Sequence, residues 1–129
     1  MVAAAQQQRW DAGMNIVRVY TGDDGESHFE DVEIPLGEAG RGGRLSEMVN
    51  AHGVIFRETD ADYDLDFHPA PRRQYVVNLT GSVEITVGSG ESRVIGAGEI
   101  LLAEDTSGRG HKSRAVGREP RRCLFIPLV

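Results

Sequence analysis

Short alternations of apolar and polar residues recur along the chain and predict strands rather than helices. Val83, Ile85 and Val87, for example, alternate with Glu84 and Thr86. A two-residue period is typical of a half-buried strand, in which successive side chains point to opposite faces. No long segment carries the 3.6-residue period of an amphipathic helix.

Turns rich in glycine, proline and aspartate separate the apolar runs. Residues 37–43 are predicted to be a flexible loop, and residues 45–49 at most one helical turn. Roughly ten short strands bounded by turns are typical of an all-β sandwich or barrel. The predicted strands cover residues 15–20, 32–36, 54–59, 60–67, 74–79, 83–87, 93–95, 99–103, 114–116 and 123–128.

Length and composition limit the organisation and the partners. With 129 residues the chain can build one core; we expect residues 1–13 to be a disordered extension and residues 14–129 to be a single domain. The net charge of −6 disfavours nucleic acid and anionic membranes as partners. No apolar run approaches the ~20 residues of a membrane span. The single cysteine, Cys123, lies in an apolar strand and is expected to be an inert thiol of a cytoplasmic protein.

The aspartates at alternate positions from Asp60 to Asp66 resemble the start of a calcium-binding loop. An EF-hand requires glycine at its sixth position and glutamate at its twelfth. Leu65 and Pro71 occupy those positions, so the segment is interpreted as a strand with a solvated acidic face.

The residues that carry chemistry concentrate between positions 68 and 111. His68, Ala70, Arg72 and Gln74 share parity, so in a regular strand their side chains would lie on one face. His111 arrives from a later part of the chain. Two imidazoles and an amide brought together in a small barrel are suited to bind a metal or a small polar ligand.

These residues resemble the motifs of the cupins, a family of jelly-roll barrels (double-stranded β-helices). The first cupin motif contains His-x-His, then Glu, then Gly; here His68, Gln74 and Gly81 match its register, and Ala70 replaces the second His. The resemblance covers about residues 50–129, with a motif core at residues 54–117.

The second cupin motif opens with a Gly-Asp turn and ends in a histidine. Gly98-Glu99 matches the turn. A strict count places the histidine at Arg109, and His111 takes its place if the preceding loop is two residues longer.

The resemblance implies a divalent metal (Fe, Mn, Ni, Cu or Zn) bound by His68, Gln74 and His111. Because Gln74 replaces a glutamate, this set lacks an anionic ligand. The alternative is a metal-free pocket in which Gln74 binds the substrate directly.

Two further residues are candidates for catalytic roles. Arg72 has the parity of the inward face and could clamp a carboxylate, enolate or phosphate, although Arg73 could point inward instead if the strand bulges. Asp105 could orient an imidazole or act as a base, or it could simply order its loop.

Three functions therefore stay open at the level of sequence. The first is a metal-dependent enzyme (oxygenase, isomerase or lyase type) acting on a small anionic organic substrate. The second is a metal-free isomerase or cyclase that uses a histidine as general base, and the third is a non-catalytic small-ligand-binding protein. A homodimer is expected from the family and from exposed β-edges.

Overall fold

The computed structural model describes residues 13–129, and all its regular elements are strands. The expectation of a disordered extension concerns residues 1–13, of which 1–12 lie outside the described range. No helix in the described part of the chain is long and apolar enough to cross a membrane. The strands are β1 (Met14–Thr21), β2 (Ser27–Ile34), β3 (Gly37–Gly40), β4 (Gly43–Leu45), β5 (Ile55–Thr59), β6 (Asp64–His68), β7 (Gln74–Thr80), β8 (Ser82–Thr86), β9 (Ser92–Ile95), β10 (Ile100–Glu104), β11 (His111–Val116) and β12 (Arg121–Pro127).

The strand order is that of a jelly roll. A six-stranded sheet has the order β2-β1-β10-β7-β12-β5, and a four-stranded sheet has the order β6-β11-β8-β9. Strands β5 to β12 therefore divide equally between two separate sheets, as in a double-stranded β-helix. The N-terminal strand β1 extends the larger sheet by pairing in parallel with β10. The predicted all-β jelly-roll fold is confirmed.

Several predicted boundaries were wrong. Strand β2 begins at Ser27 instead of residue 32, and residues 37–45 form the hairpin β3–β4 instead of a loop. Arg41 and Gly42 form the turn of this hairpin, and both have positive φ angles. From the sequence, the glycines of this segment had been interpreted only as a sign of a flexible loop. The described structure has no helix at residues 45–49.

The core lies between the two large sheets and is built from the predicted alternations. Val83 and Ile85 of β8 are 2% and 3% exposed, and they pack in one cluster with Val19 and Leu101 of the facing sheet. Cys123 lies in the same cluster, and burial raises the pKa of its thiol. The predicted burial of Cys123 is confirmed, and its inertness stays a prediction.

Glu104, at the end of β10, joins three segments through two arginines. Its carboxylate accepts hydrogen bonds from Arg18 Nε of β1 and from Arg73 Nε of the β6–β7 connection, both at 2.6 Å. Burial by itself would raise the pKa of Glu104, but the hydrogen bonds from Arg18 and Arg73 outweigh it and lower the pKa.

We expect Glu104→Gln to lower the free energy of unfolding by about 1 kcal/mol near neutral pH. Because the folded-state pKa of Glu104 is depressed, its contribution is complete above its ordinary pKa of 4.5 and is lost as the pH falls through the lower folded value. Urea unfolding at several pH values should therefore show the two proteins converging in acid. Glu58→Gln is the control, since its pair with Arg122 is exposed and should contribute little. A difference that does not change with pH would contradict this assignment.

Candidate functional site

A cavity of about 300 Å³ opens between the two large sheets. Its walls are apolar and include Val76, Val83, Ile85 and Leu101. Imidazole, amide, hydroxyl and guanidinium groups also line it, and none of the described lining residues is acidic. A concave, mostly apolar space with a few polar groups is typical of a small-molecule site, and this volume suits a small ligand.

His68 and His111 lie side by side on neighbouring strands of the smaller sheet. They are register partners at the end of β6 and the start of β11, and their ring centroids are 4.7 Å apart. His68 Nδ1 lies 2.8 Å from the carbonyl oxygen of Asp66, and His111 Nδ1 lies 2.6 Å from Asp105 Oδ2. Both rings line the cavity, and Nε2 is the nitrogen of each that is left available to a ligand.

Asp105 is fully buried and lies behind His111. Its Oδ2 accepts a hydrogen bond from Ser27 Oγ at 2.7 Å as well as contacting His111 Nδ1. An ionised carboxylate only accepts hydrogen bonds, so Nδ1 of His111 would donate to it, and in the neutral imidazole Nε2 is then the unprotonated nitrogen. Asp105 Oδ1 is buried and has no hydrogen-bond partner among the described residues. A buried carboxylate with one unsatisfied oxygen lowers the stability of the fold. Asp105 is therefore a candidate for a functional role, which would be to orient His111.

The shared-face prediction for His68, Ala70, Arg72 and Gln74 was wrong. His68 ends β6 in the smaller sheet and Gln74 begins β7 in the larger one, so the segment is a crossing between sheets. Pro69 and Pro71 account for the break, because proline cannot donate to a strand ladder. The crossing still places His68, Ala70 and Gln74 at the same cavity.

Neither arginine of the crossing lines this cavity. Arg72 is exposed and its Nη1 donates a hydrogen bond to Gln74 Oε1 at 3.1 Å, while Arg73 is bound to Glu104. Gln74 is 3% exposed, and its amide oxygen is occupied by this contact. The proposed role of Arg72 as a substrate clamp stays a prediction, which would require its side chain to turn inward.

Two other arginines do line the cavity. Arg121 of β12 is buried, and its pKa is lowered first by desolvation and further by the charge of Arg57. Arg57 of β5 lies between two rings, with its guanidinium carbon 5.6 Å from the Tyr63 centroid and 5.3 Å from the Phe125 centroid. Within residues 13–129, neither guanidinium forms an ion pair with a carboxylate.

Sequence reasoning singled out neither Arg121 nor Ser27. A signal existed for Arg121, which has the same parity on β12 as the buried Cys123 and the half-buried Phe125. No local signal exists for Ser27, because its contact with Asp105 joins residues 78 positions apart.

The donor set does not fit a divalent metal well. No group of three His, Cys, Asp or Glu side chains converges anywhere in residues 13–129. His68 and His111 offer two neutral nitrogens, the oxygen of Gln74 already accepts from an arginine, and Arg57 and Arg121 line the same cavity. A divalent cation needs anionic or several neutral ligands, and it is repelled by nearby positive charge.

Comparison with known proteins yields structural similarities only. No family model and no curated protein matches the sequence. Protein NMB1881 from Neisseria meningitidis is 20% identical over 64% of this chain and 81% of its own, with a TM-score of 0.44. The cupin domain of Schizosaccharomyces pombe Cnp3 is 12% identical over 95% of this chain and 88% of its own, also with a TM-score of 0.44.

The strand order itself defines the class of protein. Eight strands that cross between two facing sheets, with a cavity between the sheets, make a cupin-type jelly roll. The fold implied by the sequence resemblance is therefore present, whereas fold alone selects no reaction.

Proposed function

We propose that this protein binds a small organic molecule between its sheets and transfers a proton to or from it through His111, without a bound metal. The reaction class would be an isomerisation, cyclisation or elimination next to a carbonyl group. The observation that carries this proposal is the buried chain of contacts from Ser27 through Asp105 to His111. It gives an imidazole a fixed orientation and a counter-charge at the edge of a cavity.

In this reaction His111 Nε2 takes a proton from the bound molecule. The positive charge that develops on the imidazole is stabilised by Asp105, whose Oδ2 lies 2.6 Å from Nδ1. The negative charge that develops on the molecule needs a donor, and the Gln74 amide NH2 and the Tyr63 hydroxyl are available on the cavity wall. A protonated His68, whose ring centroid is 4.7 Å from that of His111, is positioned to donate a proton at a second atom, and proton exchange with solvent then restores both imidazoles.

The test follows deuterium uptake from D2O into small carbonyl compounds by NMR. The probes are pyruvate, α-ketobutyrate and acetoin, each incubated with chelator-treated protein and without protein. We expect protein-dependent exchange of at least one probe, unchanged by the chelator. Exchange that disappears with the chelator would favour a metal-dependent enzyme, and no exchange above the protein-free rate would favour a non-catalytic binding protein; either result contradicts the proposal.

A metal-dependent enzyme is the second candidate, favoured by one feature. In both His68 and His111 the Nδ1 atom contacts an acceptor oxygen, the arrangement that holds metal-binding histidines in place. His68, Gln74 and His111 as ligands of Fe, Mn, Ni, Cu or Zn therefore stay a prediction.

The homodimer and the cytoplasmic location also stay predictions. Apolar side chains on the outer surface of the larger sheet, such as Phe56 at 81% exposure and Leu79 at 49%, are a surface that a second copy could cover. Sedimentation equilibrium would give the oligomeric state directly.

A further inference from the structure

We infer that Arg121 and Arg57 form an anion-binding end of the cavity, and that the ligand is a small organic carboxylate. The inference rests on the proposed function only in using the same cavity. It assigns the recognition of negative charge to β5 and β12, away from the exposed Arg72.

Arg57 and Arg121 lie toward the end of β7, whereas the imidazoles lie toward its start. The Cα and Cβ atoms of Arg121 lie beside Gly81, just beyond the end of β7, whereas Gln74 begins that strand. Thr59 is the register partner of Arg121, and Arg57 is that of Cys123. A ligand that spans the cavity can therefore place its anionic group against the guanidiniums and its reactive atoms beside His111.

Arg121 is a buried cation that lacks a counter-charge. Only 8% of the residue is exposed, and no carboxylate in the described chain pairs with it. Burying an unpaired charge is costly, so such an arginine is retained where a ligand supplies the opposite charge. The hydroxyl of its register partner Thr59 is also buried and has no hydrogen-bond partner within residues 13–129.

Arg57 supplies the second cation in a fixed orientation. Its guanidinium group lies beside the Tyr63 and Phe125 rings, which favour a cation at this position. A planar guanidinium can donate two parallel hydrogen bonds to a carboxylate. The apolar walls at Val83, Ile85 and Leu101 suit a hydrocarbon body, which favours an organic acid over inorganic phosphate.

Titration calorimetry on the full chain tests the inference with matched acids and amides. The probes are benzoate with benzamide and butyrate with butyramide, and inorganic phosphate is the anion without an apolar body. We expect at least one acid to bind about 10-fold more tightly than its amide and than phosphate. Arg121→Gln should weaken acid binding about 10-fold or more and leave amide binding unchanged.

Arg122→Gln is the matched control, because Arg122 is the next residue on the same strand and its side chain is 67% exposed. Arg121→Lys keeps the positive charge but cannot donate two parallel hydrogen bonds, so this variant should bind the acid with intermediate affinity. Amides binding as tightly as acids, equal losses in the Arg121 and Arg122 variants, or no binding of either acid would overturn the inference. Wild-type protein that binds the acid but exchanges no deuterium would contradict the proton-transfer proposal alone, so the two failures are distinguishable.

Discussion

Gly110→Ala is expected to lower the free energy of unfolding by about 3 kcal/mol, a large loss for one methyl group. Gly110 has φ +78 and directly precedes His111. A Cβ at this position would collide with the backbone carbonyl of His68 and with the nitrogen of Pro69, and these backbone atoms cannot rotate away. The substitution should therefore also separate the His68 and His111 rings.

Gly90→Ala is the matched control for this experiment. Gly90 has φ +93, and apart from its two chain neighbours no described residue has an atom within 4 Å of the added methyl group. It should therefore show only the cost of a left-handed alanine, about 1 kcal/mol. Urea unfolding of both variants measures the difference, and histidine NMR signals in Gly110→Ala report on the imidazoles. Equal losses in the two variants would mean that the close approach at Gly110 does not hold His68 against His111.

Asp105→Asn and His111→Asn are expected to reduce proton transfer by about 100-fold or more. In Asp105→Asn the neutral amide no longer stabilises an imidazolium. Its NH2 can also donate a hydrogen bond to Nδ1, and the neutral ring then carries its proton on Nε2, the nitrogen that faces the cavity. His111→Asn removes the base itself. Ser27→Ala removes one hydrogen bond to Asp105 and should have a smaller effect on the same rate.

The readout is the rate of deuterium uptake into the probe that exchanges with the wild-type protein, measured beside benzoate binding. His28→Asn is the control, because His28 pairs with Asp24 at the surface and does not line the cavity. If Asp105→Asn exchanged protons at the wild-type rate while remaining folded, Asp105 would only order its loop.

The alternation of apolar residues was sufficient to predict most of the strands around the core. It worked for β7, β8 and β10 because these strands bury one face, so their side chains repeat every two residues. It failed for the glycine-rich β3–β4 hairpin, where β3 is exposed and no residue of β4 is more than half-buried. There the backbone pairing determines the structure, and no buried face marks it in the sequence.

The candidate site was predictable in its residues but not in its geometry. His68, Gln74 and His111 reach one cavity, yet the shared parity of His68 and Gln74 was coincidental because the chain changes sheets at Pro69. The two arginines of the cavity were not predicted together: the parity of Arg121 on β12 was a signal, but the pairing of β12 with β5, which brings Arg57 to the same cavity, exists only in the folded sheet. A chain with a net charge of −6 thus encloses a cavity lined by two arginines and no described acid.

The most direct test of a metal-free, anion-binding cavity combines metal analysis with ligand binding on one sample. Protein purified without a histidine tag is analysed for Fe, Mn, Ni, Cu and Zn by mass spectrometry, and its affinity for benzoate is measured before and after chelation. We predict metal far below one ion per chain and an affinity that chelation does not change. Near-stoichiometric metal that is lost in His111→Ala, together with benzoate binding that disappears on chelation, would contradict the account.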